Sequence, residues 1–88
     1  MKTIERNLNA IAATVTLFII ATDVTDTDEM LDAINKTILA NINKQFIEKN
    51  GREFDIENDE IPSEYLVAAF SRLMFINKMA EMAVGVLK

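Results

Sequence analysis

The side chains of this sequence that could do chemistry are almost all carboxylates. Paired Asp and Glu side chains can act as general acid and base or bind divalent cations, and Asp55, Glu57 and Asp59 alternate along the chain as at the start of a calcium-binding loop. In that loop, however, a glycine stands where this chain has Glu60, and a bidentate glutamate stands where it has Leu66. Because both diagnostic positions fail, the sequence predicts no metal site.

The residue types on which most catalytic sites depend are missing from the sequence. The chain of 88 residues contains no Cys and no His, and it contains only two Gly. A zinc site of the usual kind, a Cys or His nucleophile–base pair and a glycine-rich phosphate loop therefore lack the residues that build them. We expect a protein that is not an enzyme and has no cofactor.

The carboxylates are concentrated in two parts of the chain. Residues 23–32 and 53–64 contain eleven of the fourteen acidic residues, and the net charge is −5. This negative charge argues against direct binding to nucleic acid phosphates. The two clusters are typical of helix starts, where carboxylates cap N–H groups and complement the helix dipole. One alternative is a cation site. The other is an acidic surface that attracts and binds a basic partner protein through charge steering. The residues of that candidate surface are Glu53, Asp55, Glu57, Asp59, Glu60, Glu64, Asp26, Asp28 and Glu29.

Apolar residues at helical spacing predict the first two elements. In the first segment, about residues 3–22, they recur in steps of three and four, which is the pattern of one helix face. Residues 17–20 are all apolar, so we expect this part of the helix to be surrounded by protein. Because residues 14–20 are rich in β-branched side chains, a short buried strand is the alternative there. The second segment, about residues 27–50, starts after a cluster of capping side chains and ends at Asn50-Gly51, a typical helix stop.

The third segment, about residues 62–87, is the most apolar of the three. Its polar residues include Glu64, Ser71 and Lys78, which are seven apart and form one narrow stripe. Such a helix has more apolar surface than two neighbours can cover, so we expect an all-α bundle of three helices in which the third is the most buried. We also expect a homodimer through helix three, or through helices one and three. The predicted dimer seam consists of Phe70, Met74, Phe75, Met79, Met82 and Val86. The alternative role of its Met and Phe side chains is to fill the core of the bundle.

The apolar run at residues 10–21 resembles a signal peptide or a membrane span only in part. Glu5 interrupts the basic region, and Ile19 is too large for the −3 position of a cleavage after Ala21. The run is also shorter than the ~20 residues that cross a bilayer. We therefore expect residues 1–88 to form one cytoplasmic domain that is not associated with a membrane.

These observations favour a function that depends on contact rather than on catalysis. We expect a protein–protein interaction module that binds a larger protein stoichiometrically and inhibits or regulates it. We expect its recognition surface to be the acidic segment at residues 53–64, with the acidic start of helix two as a second patch. The abundance of Ile, Asn and Lys indicates an AT-rich coding sequence, as in many phages and mobile elements, which often encode small acidic inhibitors of host proteins. The alternatives are a structural subunit of a homo-oligomer and an acidic mimic of nucleic acid.

Overall fold

Three α-helices form the fold. The structure is a computed structural model that describes residues 1–25 and 27–87, and the side chains of residues 1–25 and 27–83. Helix α1 spans Thr3–Thr22, α2 spans Asp28–Asn50 and α3 spans Ser63–Leu87. The prediction of an all-α bundle with three principal helices is confirmed, and each predicted boundary lies within one residue of the observed one.

The β-branched stretch of α1 is helical, so the alternative of a short strand at residues 14–20 is wrong. Its threonine hydroxyls bond back within the helix, from Thr14 to the Ala10 carbonyl at 2.9 Å and from Thr16 to the Ala12 carbonyl at 3.0 Å. Val15 and Phe18 are buried in the bundle. Burial of this apolar stripe outweighs the local preference of β-branched residues for strands.

The predicted signals at the ends of α2 are present in the structure. The Thr27 hydroxyl caps the helix by accepting the Met30 N–H at 3.1 Å. Gly51 ends it in the left-handed region, with φ +72°, and its N–H bonds to the Ile47 carbonyl at 2.8 Å. The same geometry ends α1 at Asp23, where φ is +54°. Each cap satisfies a backbone group that the helix itself leaves without a partner.

The helices run up, down and up. Gln45 near the end of α2 donates to the Tyr65 carbonyl near the start of α3 at 3.1 Å, so these two helices are antiparallel. At the other end of the bundle, a small cavity is lined by Phe18 of α1, Met30 of α2 and Ile76 of α3. Helices α1 and α3 are therefore parallel to each other and antiparallel to α2.

The core lies along the line where the three helices meet, and Ile38 and Ile42 of α2 are fully buried there. Helix α3 contacts both other helices, and its contact with α2 is the most extensive in the bundle. The prediction that α3 is the most buried helix does not hold along its whole length. None of its described side chains after Leu73 is buried, although Met74 is partly buried against the core.

Helix α1 is long and apolar enough to cross a membrane when judged by length and composition alone. It is longer than the apolar run that the sequence showed, because the helix begins at Thr3. In the structure, Asn7, Ile11 and Phe18 are buried within the bundle, whereas only 28 % of the apolar 18-residue window of this helix is buried.

Candidate interaction surfaces

The acidic loop between α2 and α3 is organised around an ion pair of Arg52 and Asp59. The guanidinium donates two hydrogen bonds, each of 2.8 Å, to the two carboxylate oxygens of Asp59. Asp59 Oδ2 also accepts the backbone N–H of Asp55 at 2.9 Å. The Arg52 hydrogen bonds, followed by that backbone bond, lower the pKa of Asp59 to about 2, and Asp59 raises the pKa of Arg52 in turn. Asp59 therefore stabilises the loop and is committed to that contact.

Asp55 also bonds within the loop. Its Oδ1 accepts the Glu57 N–H at 3.0 Å, and its Oδ2 accepts the side-chain amide of Asn58 at 2.7 Å. These bonds form a turn in which the carboxylate replaces a backbone acceptor. Within the described residues, no group of three or more Asp and Glu side chains is placed to bind a metal ion.

The predicted acidic surface is thus divided by its intramolecular contacts. Glu60 pairs with Arg6 at 3.3 Å, and Glu64 pairs with Lys49 at 3.2 Å. Among the described residues, no basic side chain lies within 4.0 Å of the carboxylate of Glu53 or Glu57, both of which are exposed. The predicted surface at residues 53–64 therefore brings fewer free carboxylates together than its composition suggests.

The second predicted acidic patch lies at the start of α2. Asp28 and Glu29 are exposed in the first turn of that helix, where they complement the positive end of the helix dipole. The predicted contribution of Asp26 falls outside the described residues. The placement of Asp28 and Glu29 agrees with the role of helix-start carboxylates.

Asn7 is a residue of the loop scaffold that the sequence analysis missed. It lies on the buried face of α1 and is 2 % exposed. Its side-chain amide donates to the carbonyls of Ile56 and Asp59 at 2.8 and 2.7 Å, and its Oδ1 accepts the Ile61 N–H at 3.2 Å. The available signal was its position one turn before Ile11, since a polar residue within an apolar stripe needs buried partners.

The loop is also fastened to α2. The Phe54 ring packs edge-on against Phe46 at 5.4 Å between ring centroids, and the Phe54 N–H donates to Asn43 Oδ1 at 2.8 Å. The Arg52 guanidinium also lies over the Phe46 ring, 4.7 Å from its centroid. The loop is therefore a fixed part of the fold.

A groove between α1 and α3 is lined almost entirely by apolar side chains. We call it the α1–α3 groove; it has a volume of about 390 Å³ and is lined by Thr14, Leu17, Ile20, Ala21, Leu66, Val67 and Phe70. Ile20 is 73 % exposed, Val67 65 % and Leu17 59 %. The prediction that residues 17–20 are surrounded by protein therefore holds for Phe18, which is buried, and is wrong for Leu17 and Ile20. Neither of the other two described helices covers that side of α1.

The predicted dimer seam on α3 is partly exposed. Phe75, Met79 and Met82 are exposed, whereas Phe70 and Met74 are partly buried against the core. The side chain of Val86 lies outside those that the structure describes. Core filling therefore accounts for the first two residues of the seam, and it leaves the exposed three without contacts that bury them.

Comparisons with known proteins add no functional residue to these surfaces. No protein-family model, no curated protein and no solved structure matches the chain. The support for a function therefore comes from the surfaces themselves. These are the acidic loop, whose carboxylates are mostly paired within the chain, and two exposed apolar areas, the α1–α3 groove and the predicted dimer seam on α3.

Proposed function

We propose that this protein is a non-enzymatic interaction module that binds one larger protein stoichiometrically and thereby inhibits or redirects it. The observation that supports this proposal is the α1–α3 groove, whose exposed side chains Leu17, Ile20 and Val67 are all apolar. A cluster of exposed apolar residues on a small protein is typical of a binding surface. The main contact with the partner is therefore made by the groove, and not by the acidic loop that the sequence favoured.

The shape and chemistry of the groove fit a helix of the partner protein. Two parallel helices form its walls, and such a groove takes the apolar face of an amphipathic helix through anchors in steps of three and four. Acidic residues lie near the lining residues in the sequence: Asp23 is two residues after Ala21, and Glu64 is two residues before Leu66. With a net charge of −5, the protein favours a partner helix whose apolar face is bordered by Lys or Arg.

The acidic loop is the weaker candidate because its central carboxylates already have partners. A basic ligand would have to compete with Arg52 for Asp59 and with Arg6 for Glu60. Glu53 and Glu57 are exposed and contribute to charge steering, which affects the rate of association more than the affinity.

The contribution of the groove side chains to the proposed binding free energy can be measured. Burying a large aliphatic side chain contributes ~1.5–3 kcal/mol, so replacing both Leu17 and Ile20 by Ser should weaken binding of a helical ligand by at least ~10-fold. Both side chains are exposed in the free protein, so we expect the double variant L17S/I20S to fold normally.

A fluorescent amphipathic peptide with one leucine face bordered by lysines provides the test. Its anisotropy should report binding to the wild-type protein with one peptide per chain, and L17S/I20S should bind at least ~10-fold more weakly. The control is L39S, since Leu39 is an exposed aliphatic residue of α2 that does not line the groove. Equal affinity of the wild-type protein and L17S/I20S would contradict the proposal.

A further inference from the structure

The outer face of α3 has a seven-residue pattern of its own. Glu64, Ser71 and Lys78 lie along one line of the helix, and all three are exposed. Val67 and Phe75 flank this line and are 65 % and 55 % exposed. This face, which we call the α3 outer face, combines two opposite charges, a small central residue and apolar flanks.

We propose that a second copy of this chain binds the α3 outer face, with the two α3 helices antiparallel and the two-fold axis passing at Ser71. This interface shares Val67 and the neighbouring Glu64 with the α1–α3 groove, but it requires neither Leu17 nor Ile20, so the dimer and the groove are tested by different variants. In a two-fold interface the same patch serves both subunits, so the patch must be complementary to itself.

The positions of the charges determine the direction of the pairing. Glu64 and Lys78 each lie seven residues from Ser71. An antiparallel arrangement centred on Ser71 therefore places each Glu64 opposite Lys78 of the partner subunit. A parallel arrangement in register would place Glu64 opposite Glu64 and Lys78 opposite Lys78, and like charges facing each other are unfavourable.

The apolar and small residues agree with the same register. Val67 comes to lie opposite Phe75 of the partner subunit. Ser71 meets its own copy at the axis, where a small side chain permits close approach of the two helices. The exposed apolar flanks of one copy are thus covered by those of the other.

The contacts within one chain leave these charges available. Among the described residues, no carboxylate lies within 4.0 Å of the Lys78 ammonium group. Glu64 uses Oε1 for its contact with Lys49 at 3.2 Å, and its side chain remains 66 % exposed. The second carboxylate oxygen of Glu64 can therefore accept a hydrogen bond from a partner lysine.

Cysteine cross-linking tests the register directly, because the natural chain has no Cys. In the variant S71C, mild oxidation should produce a covalent dimer as the main product. The matched control is S63C, since Ser63 is also exposed on α3 but lies eight residues from the axis. At 1.5 Å per residue, the two copies of position 63 would be ~24 Å apart in the antiparallel dimer, so S63C should form no covalent dimer.

Charge exchange tests the pairing of Glu64 with Lys78 without a cross-link. Sedimentation equilibrium of the full chain should show that E64K and K78E each weaken dimerisation by ~10-fold, since every dimer contains the pair twice, and that E64K/K78E restores most of the loss. The control E57K makes the same charge change as E64K but outside this face, so it should leave the dimerisation constant unchanged. Circular dichroism confirms that each variant folds.

Three results would overturn the proposal. The first is equal cross-linking of S71C and S63C, which indicates a parallel or random encounter. The second is a wild-type protein that remains monomeric at 100 µM, and the third is a charge-exchanged double variant that dimerises no better than either single variant. The groove proposal would be unaffected by any of these results, because its test measures peptide binding to Leu17 and Ile20.

Discussion

The side chain of Asn7 accepts the backbone N–H of Ile61, a residue 54 positions later in the chain, at 3.2 Å. Both residues are buried, with exposures of 2 % and 8 %. The same side chain donates to two carbonyls of the acidic loop, so one residue of α1 satisfies three backbone groups that would otherwise lack partners. This contact fixes the loop against α1 just before the start of α3.

Replacement of Asn7 should therefore destabilise the whole fold. In N7A the N–H of Ile61 and the carbonyls of Ile56 and Asp59 lose their partner, and unsatisfied buried groups cost ~1–3 kcal/mol each where water does not reach them. We expect a loss of ~2–4 kcal/mol in the free energy of unfolding, measured by urea denaturation. The control is N9A, because Asn9 is exposed on the same helix; equal losses for N7A and N9A would show that the loop contacts contribute nothing.

The Arg52–Asp59 pair should make stability depend on pH in the acidic range. The pKa of Asp59 is lowered to about 2 in the folded protein from its ordinary value of 3.8. A carboxyl group with a lowered folded pKa stabilises the protein above its unfolded pKa, and this contribution disappears as the pH falls through the folded pKa. The variant D59N should thus have a lower thermal midpoint than wild type at pH 6, and the difference should shrink between about pH 4 and pH 2.

A second variant separates this effect from the general effect of acid. Glu57 is exposed in the same loop, and no basic side chain among the described residues lies within 4.0 Å of its carboxylate. E57Q should therefore follow the wild-type midpoint across the whole pH range. If the difference between D59N and wild type is constant from pH 6 to pH 2, Asp59 acts through packing rather than through its charge.

Two isoleucines of contrasting exposure provide a test of the packing. Ile42 is fully buried in the core, whereas Ile20 is 73 % exposed in the α1–α3 groove. I42A should lose ~2–5 kcal/mol of unfolding free energy, since it leaves a cavity, and I20A should change it by less than ~0.5 kcal/mol. Urea denaturation at low micromolar concentration measures both. A large loss for I20A would mean that the groove is covered in the isolated protein.

The left-handed turn at Gly51 should be sensitive to substitution for conformational reasons alone. Its φ is +72°, and a Cβ atom placed there would meet nothing within 4 Å. G51A should therefore lose ~1 kcal/mol because of backbone strain, and G51N should lose less, since Asn adopts this conformation more readily. The thermal midpoint measures both; an unchanged midpoint for G51A would show that the end of α2 relaxes to another geometry.

The helices were predictable because their signals are local. Thr27 caps α2, Asn50-Gly51 ends it, and the apolar residues between them follow the helical period. The exposure of Leu17 and Ile20 was not predictable, because the pattern shows how apolar a helix is and not how many neighbours it has. Their environment depends on the number of helices in the bundle.

The candidate site was predicted less well than the fold. The sequence located the acidic loop and the apolar seam on α3, but it did not show that Asp59 pairs with Arg52 or that Asp55 forms a turn. Such pairings depend on how an irregular loop folds back on itself. A charge-reversed Asp59 would consequently disturb the loop, so E53Q/E57Q is the cleaner test of the acidic surface.

Affinity capture from a lysate of the native host, with the bound protein quantified against the bait, tests the central claim most directly. From a lysate diluted until the partner concentration is far below the Kd, the wild-type protein, L39S and E53Q/E57Q should retain equal amounts of one partner protein. Under that condition L17S/I20S should retain ~10 % of this amount or less, which corresponds to an affinity at least ~10-fold weaker. Equal retention of that partner by L17S/I20S, with loss in E53Q/E57Q, would place the contact on the acidic loop and contradict the account.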